Sequence, residues 1–231
     1  MPMKPAFWAR RAHRWIGLAI GLQALLWMIS GLYMVSISIH VIHGDHLAKA
    51  TGAPLSDAPT LSASALAEKF PGMTGVRLKR LVEREVFEVR HAGGVSLVDA
   101  RTGEVLSPLG EAAARDVATA LYQGKAPIRV AALIDKAPQE VATRPVPLWR
   151  IEFADSNETT LYLSPHTGEL LAKRHDLWRW FDFLWMFHIM DYDARTDVNN
   201  TLLRVAASVG LVFSLSGVWL LFYSFRRRTA A

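Results

Sequence analysis

Two long apolar runs bracket a segment in which apolar and polar residues alternate. From Trp15 to Ile39 no side chain is ionisable except that of Tyr33. At ~1.5 Å per residue this run is ~37 Å long, enough to cross a hydrocarbon core of ~30 Å with some tilt. A crossing segment must be helical, because only a helix satisfies every backbone N–H and C=O within itself. The rival reading is a cleaved signal peptide, for which Arg10, Arg11 and Arg14 would form the basic leader. The run exceeds the roughly 7–15 apolar residues of such a leader, and no small-x-small site follows it cleanly. A second run, Leu202 to Phe225, carries one charge, Arg204. Two transmembrane helices are therefore expected, over 13–46 and 201–225. Gly17 and Gly21 in the first, and Ala207, Gly210, Ser214 and Gly217 in the second, form small-residue faces. Such faces suit close helix packing within the chain, in a homodimer, or against a reductase partner.

The middle of the chain repeats itself. LSASALAEKF (61–70) reads as a short amphipathic helix, and VRLKRL, VFEVRH and GVSLVDARTGEV follow as strands. EAAARDVATALY (111–122) starts again as a helix, followed by IRVAALI, PLWRIEFAD and TTLYLSPHTGELLAKR. Each half closes on T-G-E after the same spacing. The pattern predicts an α+β membrane protein whose two spans flank two αβββ units with antiparallel sheets, over 61–110 and 111–174. Around them lie a basic arm (1–12), a turn-rich linker (47–60), an aromatic interfacial helix with a polar turn (175–200), and a tail (226–231). Asn199 or Asn200 is the expected N-cap of the second span.

Charge changes the picture only through its distribution. The net +5 and pI near 9.7 would suit a nucleic-acid binder. Yet Asp45 to Asp197 holds all 21 acidic residues against 18 basic ones, a net of −3. The other cations, Lys4, Arg10, Arg11, Arg14, Arg204 and Arg226 to Arg228, cluster mainly at the outer ends of the two runs. This predicts both termini in the cytoplasm and the central domain on the far side of a bacterial inner membrane, the periplasm. No nucleic-acid partner is indicated. Cysteine is absent, which excludes disulfides, Cys-held iron–sulfur clusters and covalently attached haem. H-E-x-x-H, G-x-S-x-G and phosphate-binding glycine loops are also missing, so nothing supports a hydrolase. Asp191, Asp193 and Asp197 lack the spacing of an EF-hand and read as a solvated turn.

The opening H-R-W-x-G-L, the repeats D-x-x-T-G-E-V and S-P-x-T-G-E-L, and the segments SGLYMVSISIHVIHGDHL and FHIMDYDARTDVNNTLLR resemble PepSY proteins of the PepSY-associated transmembrane-helix family. The resemblance runs from His13 to about Gly217. It implies an inner-membrane protein with periplasmic PepSY units. Soluble PepSY units are associated with peptidase inhibition, and some membrane relatives with more spans resemble b-haem-bearing ferric siderophore reductases.

Eight histidines carry the candidate chemistry. His91 and His166 fall in or beside hairpins and read as surface residues, and His46 lies past the membrane. On a helical wheel His175, Arg179 and Asp182 share an aqueous face. His188 falls ~180° from Arg179, beside Phe181, Leu184 and Trp185, where a neutral imidazole needs a hydrogen bond or a metal. On a continuous first helix Tyr33, Ser36, His40 and His43 fall within ~80° of one another. A b-type haem needs two opposed imidazoles, each oriented by a second hydrogen bond; His43 with His188 are the expected pair, His40 is a further cofactor-binding candidate, and Asp45, Asp191 and Asp193 are the expected orienting partners. His13, ~45 Å from His43 along a straight helix, reads as bonded to headgroups, or as ligand of a second haem completed by another chain. The expected function is haem-based electron transfer, or an accessory role, in membrane-linked metal (ferric siderophore) reduction. The alternative is a non-enzymatic binding or regulatory module anchored in the membrane.

Overall fold

The computed structural model describes residues 5–49, 55 and 61–226. Most of the linker, with Lys4, Arg227 and Arg228, lies outside the described residues. The chain divides into two compact units, one of residues 1–38 and 180–231 and one of residues 39–179.

The first unit is helical. Helix α1 (Pro5–Ser36) and, at the other end of the chain, α6 (Thr201–Arg226) contain apolar stretches of 26 residues (Arg11–Ser36) and 21 residues (Thr201–Leu221), each long enough to cross a bilayer. They pack antiparallel. On α1 the partly buried positions His13, Gly17, Ile20, Ala24, Trp27, Gly31 and Met34 recur at alternating steps of four and three. On α6 Leu203, Ala206, Gly210, Phe213, Gly217 and Leu220 do the same. This is the seam of a left-handed helix pair. Glycine allows the close approach: a Cβ at Gly17 would meet the Phe213 ring at 3.0 Å, and one at Gly210 would meet Ile20 at 3.9 Å. The small-residue stripe of α6 is thus divided, Gly210 and Gly217 facing α1 while Ala207 and Ser214 are exposed.

Helix α1 is shorter than the sequence pattern implied. It ends at Ser36, and a separate four-residue helix, α2 (Ile39–Ile42), follows. His40 and His43 therefore do not continue the Tyr33–Ser36 stripe. Neither Ile37 nor Ser38 is a helix breaker, so nothing local marks the end. Helix α6 begins as expected, with Asn200 as its cap: the Leu203 N–H donates to Asn200 Oδ1 at 2.8 Å.

The second unit holds the repeats. Helix α3 (Ala63–Lys69) precedes a three-stranded antiparallel sheet, β1 (Gly75–Leu81), β2 (Arg84–His91) and β3 (Gly94–Asp99). Helix α4 (Glu111–Leu121) precedes four antiparallel strands, β4 (Ile128–Ile134), β5 (Leu148–Phe153), β6 (Thr160–Leu163) and β7 (Leu170–Arg174). The two T-G-E turns share one bonding scheme. Asp99 Oδ1 accepts from the N–H groups of Arg101 and Thr102, and Ser164 Oγ accepts from those of His166 and Thr167. Gly103 and Gly168 then take φ of 75° and 65°, where a side chain would be strained.

The halves differ after that turn, so the expectation of two αβββ units is not met. Leu170 continues into a full strand, whereas Val105 makes only a single bridge to Val98. Pro108, three residues on, has no N–H to extend a ladder. Each half has a small core of its own, around Leu66, Phe87 and Val98 in the first and Val141, Leu148 and Tyr162 in the second, but the largest core is shared. Val86 and Leu97 of the first sheet share one buried cluster with Val117 and Leu121 of α4 and with Trp149, Ile151 and Phe153 of β5. Because successive strand residues face opposite ways, the face of β2 that carries Val86 also carries Glu88. Glu88 meets Lys79 there at 2.7 Å, and Lys79 also donates to the Thr167 carbonyl of the other half at 2.8 Å.

Candidate functional site

The histidine best built for chemistry is His188, in the last turn of α5 (Asp176–Ile189). The C-terminal carbonyls of a helix lack partners within it, and here side chains supply them. Gln23 Nε2 donates to the Phe187 carbonyl at 3.1 Å and Trp27 Nε1 to that of His188 at 2.8 Å. Asn200 Nδ2 donates to the Ile189 carbonyl at 2.8 Å. Met190 then turns the chain through φ 54°. The backbone under His188 is therefore held from three sides.

The ring is held as well. His188 Nδ1 lies 2.9 Å from Ser30 Oγ, and Ser30 is completely buried. The hydroxyl lies 2.7 Å from the Leu26 carbonyl, one turn back on its own helix. With the Ser30 proton committed there, Oγ accepts the Nδ1–H and the lone pair of the imidazole falls on Nε2. Trp185 stacks parallel to the ring at 6.1 Å, and Gly31 leaves room beside its Cε1. The half-buried ring thus has Ser30 as its hydrogen-bond partner.

His13 is built the same way. Its Nδ1 lies 2.9 Å from Ser216 Oγ, which donates to the Phe213 carbonyl at 2.7 Å. The ring stacks on Phe213 with centroids 4.3 Å apart. Gly217 lies beside its Cε1, as Gly31 lies beside that of His188. The partner is thus a serine of the second span rather than a lipid headgroup. Each station uses a Ser-Gly pair within an apolar run, I-S-G-L-Y and L-S-G-V-W. That echo is the signal from which Ser30 and Ser216 could have been found. Seventeen residues of α1 separate His13 from Ser30, ~26 Å of helix, so the two rings cannot face one small cofactor.

The remaining histidines are placed differently. His40 is exposed, with Nδ1 3.0 Å from Asp45, whose carboxyl is held down to about 2 by its hydrogen bonds to Lys173 and His40. His43 is exposed in the turn after α2. His43 belongs to the unit of residues 39–179 and His188 to the other unit. Among the described residues no three His, Asp or Glu side chains gather to hold a metal ion.

The aqueous face expected for His175, Arg179 and Asp182 is not found. His175 is 1% exposed, with Nε2 3.0 Å from the Ile42 carbonyl, and burial pushes its pKa below the ordinary histidine value. Arg179 is turned into a network on the four-stranded sheet. Asp182 pairs with Arg195. These polar residues are spent on tertiary contacts, which helical periodicity cannot distinguish from water. The Asp191 turn is internally bonded too, its carboxylate accepting from the N–H groups of Asp193, Ala194, Thr196 and Asp197.

A family model described as the PepSY-associated TM region matches residues 10–231. No curated protein is found to match the chain.

Proposed function

The chain belongs to the PepSY-associated transmembrane family, and on that premise we propose that this membrane protein carries single electrons through a b-type haem held by His188. It would act as carrier or accessory subunit in membrane-linked reduction of ferric siderophores. The observation that carries the reading is the state of the His188 ring. A ligating histidine characteristically donates its second N–H to a fixed acceptor, which sets the tautomer and aims the lone pair. Ser30 is that acceptor, and among the described residues no hydrogen-bond partner meets Nε2. An imidazole so oriented is the kind of donor that haem iron takes, which supports the reading. Gln23, Trp27 and Asn200 hold the ring's backbone, and Trp185 lies parallel beside the ring. A haem bound there would supply reversible one-electron chemistry.

Full-length protein purified from haem-replete cells is expected to show a six-coordinate, low-spin spectrum that sharpens on reduction. His188→Ala is expected to abolish that form, and Ser30→Ala to keep haem while weakening its retention by about tenfold or more. His43→Ala and His40→Ala then identify the opposing imidazole. Protein that carries no haem would sink the assignment and leave the anchored binding module as the reading.

The orientation follows from Arg10, Arg11, Arg14 and Arg226 at the outer ends of the spans, which supports cytoplasmic termini and a periplasmic unit of residues 39–179. A reporter active only in the periplasm should work when inserted at the exposed turn of Ser156 and Asn157. The same reporter should be silent at the C-terminus, and the opposite pattern reverses the topology.

A further inference from the structure

We propose that residues 39–46 and 173–179 form a pH-sensitive clasp, closed while the buried His175 ring is neutral and opened by acid. The chain passes between the two units at residues 38–39 and again at 179–180, so the clasp ties one passage to the other. It does not depend on a bound haem.

Geometry fixes the state of the ring. His175 Nε2 lies 3.0 Å from the Ile42 carbonyl, and a carbonyl can only accept, so Nε2 carries a proton. Among the described residues no hydrogen-bond partner meets Nδ1. The ring and Ile42 are both buried, and Gly44, at φ 69°, lies against the ring, so that a Cβ there would sit 3.4 Å from Cδ2. A second proton, on Nδ1, would place a charge in this interior with no acceptor for it.

The charged neighbours do not offset that cost. On the segment 39–46, His46 stands edge-on to the ring with centroids 6.0 Å apart, and Asp45 is engaged by Lys173 at 2.9 Å and by His40 at 3.0 Å. On the other side are Lys173 of β7 and, in α5, Arg179 with its partner Asp176 at 3.2 Å. Burial dominates and holds the His175 pKa below the ordinary histidine value, while the carbonyls of Ile42 and Val41, which favour charge, are outweighed. Released into water, the ring takes up a proton near pH 6.5. The closed clasp is therefore stable above about pH 6.5 and loses stability as pH falls below it. The Lys173–Asp45 contact across the clasp is silent in this range, because the Asp45 carboxyl is held down to about 2 and stays ionised.

The opening is confined. Past residue 46 the chain is pinned, the Leu47 carbonyl accepting from the Gln123 N–H at 2.8 Å and the Lys49 N–H donating to the Leu121 carbonyl at 3.0 Å. Within the clasp the N–H groups of His43, Gly44 and Asp45 donate to the carbonyls of Ile39, Val41 and His40. So short a helical piece does not persist without tertiary contacts.

The test is amide hydrogen exchange of the full chain in phospholipid nanodiscs at pH 7.5 and 5.5, corrected for the intrinsic rates. Exchange at residues 43–45 is expected to rise about tenfold in acid, the effect of one proton taken up on opening, while α4 changes less than twofold. His175→Gln keeps an N–H for the Ile42 carbonyl but cannot titrate, so it should remove the rise; His46→Gln should retain it. Unchanged exchange in the wild type overturns the proposal, as does a rise that persists in His175→Gln or vanishes in His46→Gln. If His175→Gln also loosens α4, the imidazole nitrogen shifts of the wild type decide. A His175 ring protonated on both nitrogens while residues 39–46 stay protected overturns the clasp; a ring that gains its second proton only as their exchange rises supports it.

Discussion

Lys79→Ala is expected to destabilise the unit of residues 39–179 by about 3 kcal/mol, because it strands a buried carboxylate. The Glu88 side chain is 4% exposed and that of Lys79 13%. The ammonium is shared between Glu88 and the Thr167 carbonyl, so its loss leaves two acceptors in the interior. Arg90, 3.8 Å from the other Glu88 oxygen and largely exposed, is too distant to replace it. Desolvation of the survivor, rather than the lost attraction, dominates the cost. The double variant Lys79→Met with Glu88→Leu should therefore recover most of the stability, since it removes both charges together. Guanidinium unfolding of the full chain in mild detergent reads both. A single variant within about 1 kcal/mol of the wild type would show that water reaches the pair. Because Thr167 belongs to the second T-G-E turn, hydrogen exchange should also rise at residues 164–169, in the opposite half from the mutation.

Arg179→Ala should cost about 2 kcal/mol and release the first turns of α5. Arg179 Nε donates to Glu140 at 3.0 Å, one terminal nitrogen to Asp176 and to the Glu158 carbonyl, and the other to Thr160 Oγ1 at 3.1 Å. Glu140 also accepts from the buried Tyr162 hydroxyl. One planar fork therefore ties the start of α5 to the four-stranded sheet. Arg179→Lys keeps the charge but offers a single nitrogen, which cannot reach partners spread across the whole guanidinium. It should recover less than half of the loss. The readouts are unfolding free energy and amide exchange over 176–182. Full rescue by lysine would show that charge alone matters and that the fork geometry is incidental.

Several features could be read without coordinates because they depend on local composition or on a repeated local motif. The two spans follow from uncharged runs longer than the hydrocarbon core is thick. The T-G-E turns follow from a glycine at left-handed φ and a preceding Asp or Ser that accepts backbone N–H groups, and both turns form as written. The Asn200 cap is equally local. Even the apolar setting of His188 needed only the helical period.

Tertiary structure decided the rest, for reasons that periodicity cannot carry. Helix α1 stops at Ser36 although no proline or glycine interrupts it. A wheel that grouped His175, Arg179 and Asp182 as polar could not say that each would be met by protein: by the Ile42 carbonyl, by Glu140 and by Arg195. The halves share their largest core because Val86 and Leu97 found their burial against α4 and β5 of the other repeat. For the two histidine stations the sequence held the right residue types but not their pairing. Ser30 lies 158 positions from His188, and Ser216 lies 203 from His13. The tautomer of each ring, and so the nitrogen left to act, depends on a hydroxyl that only the folded helices bring within reach.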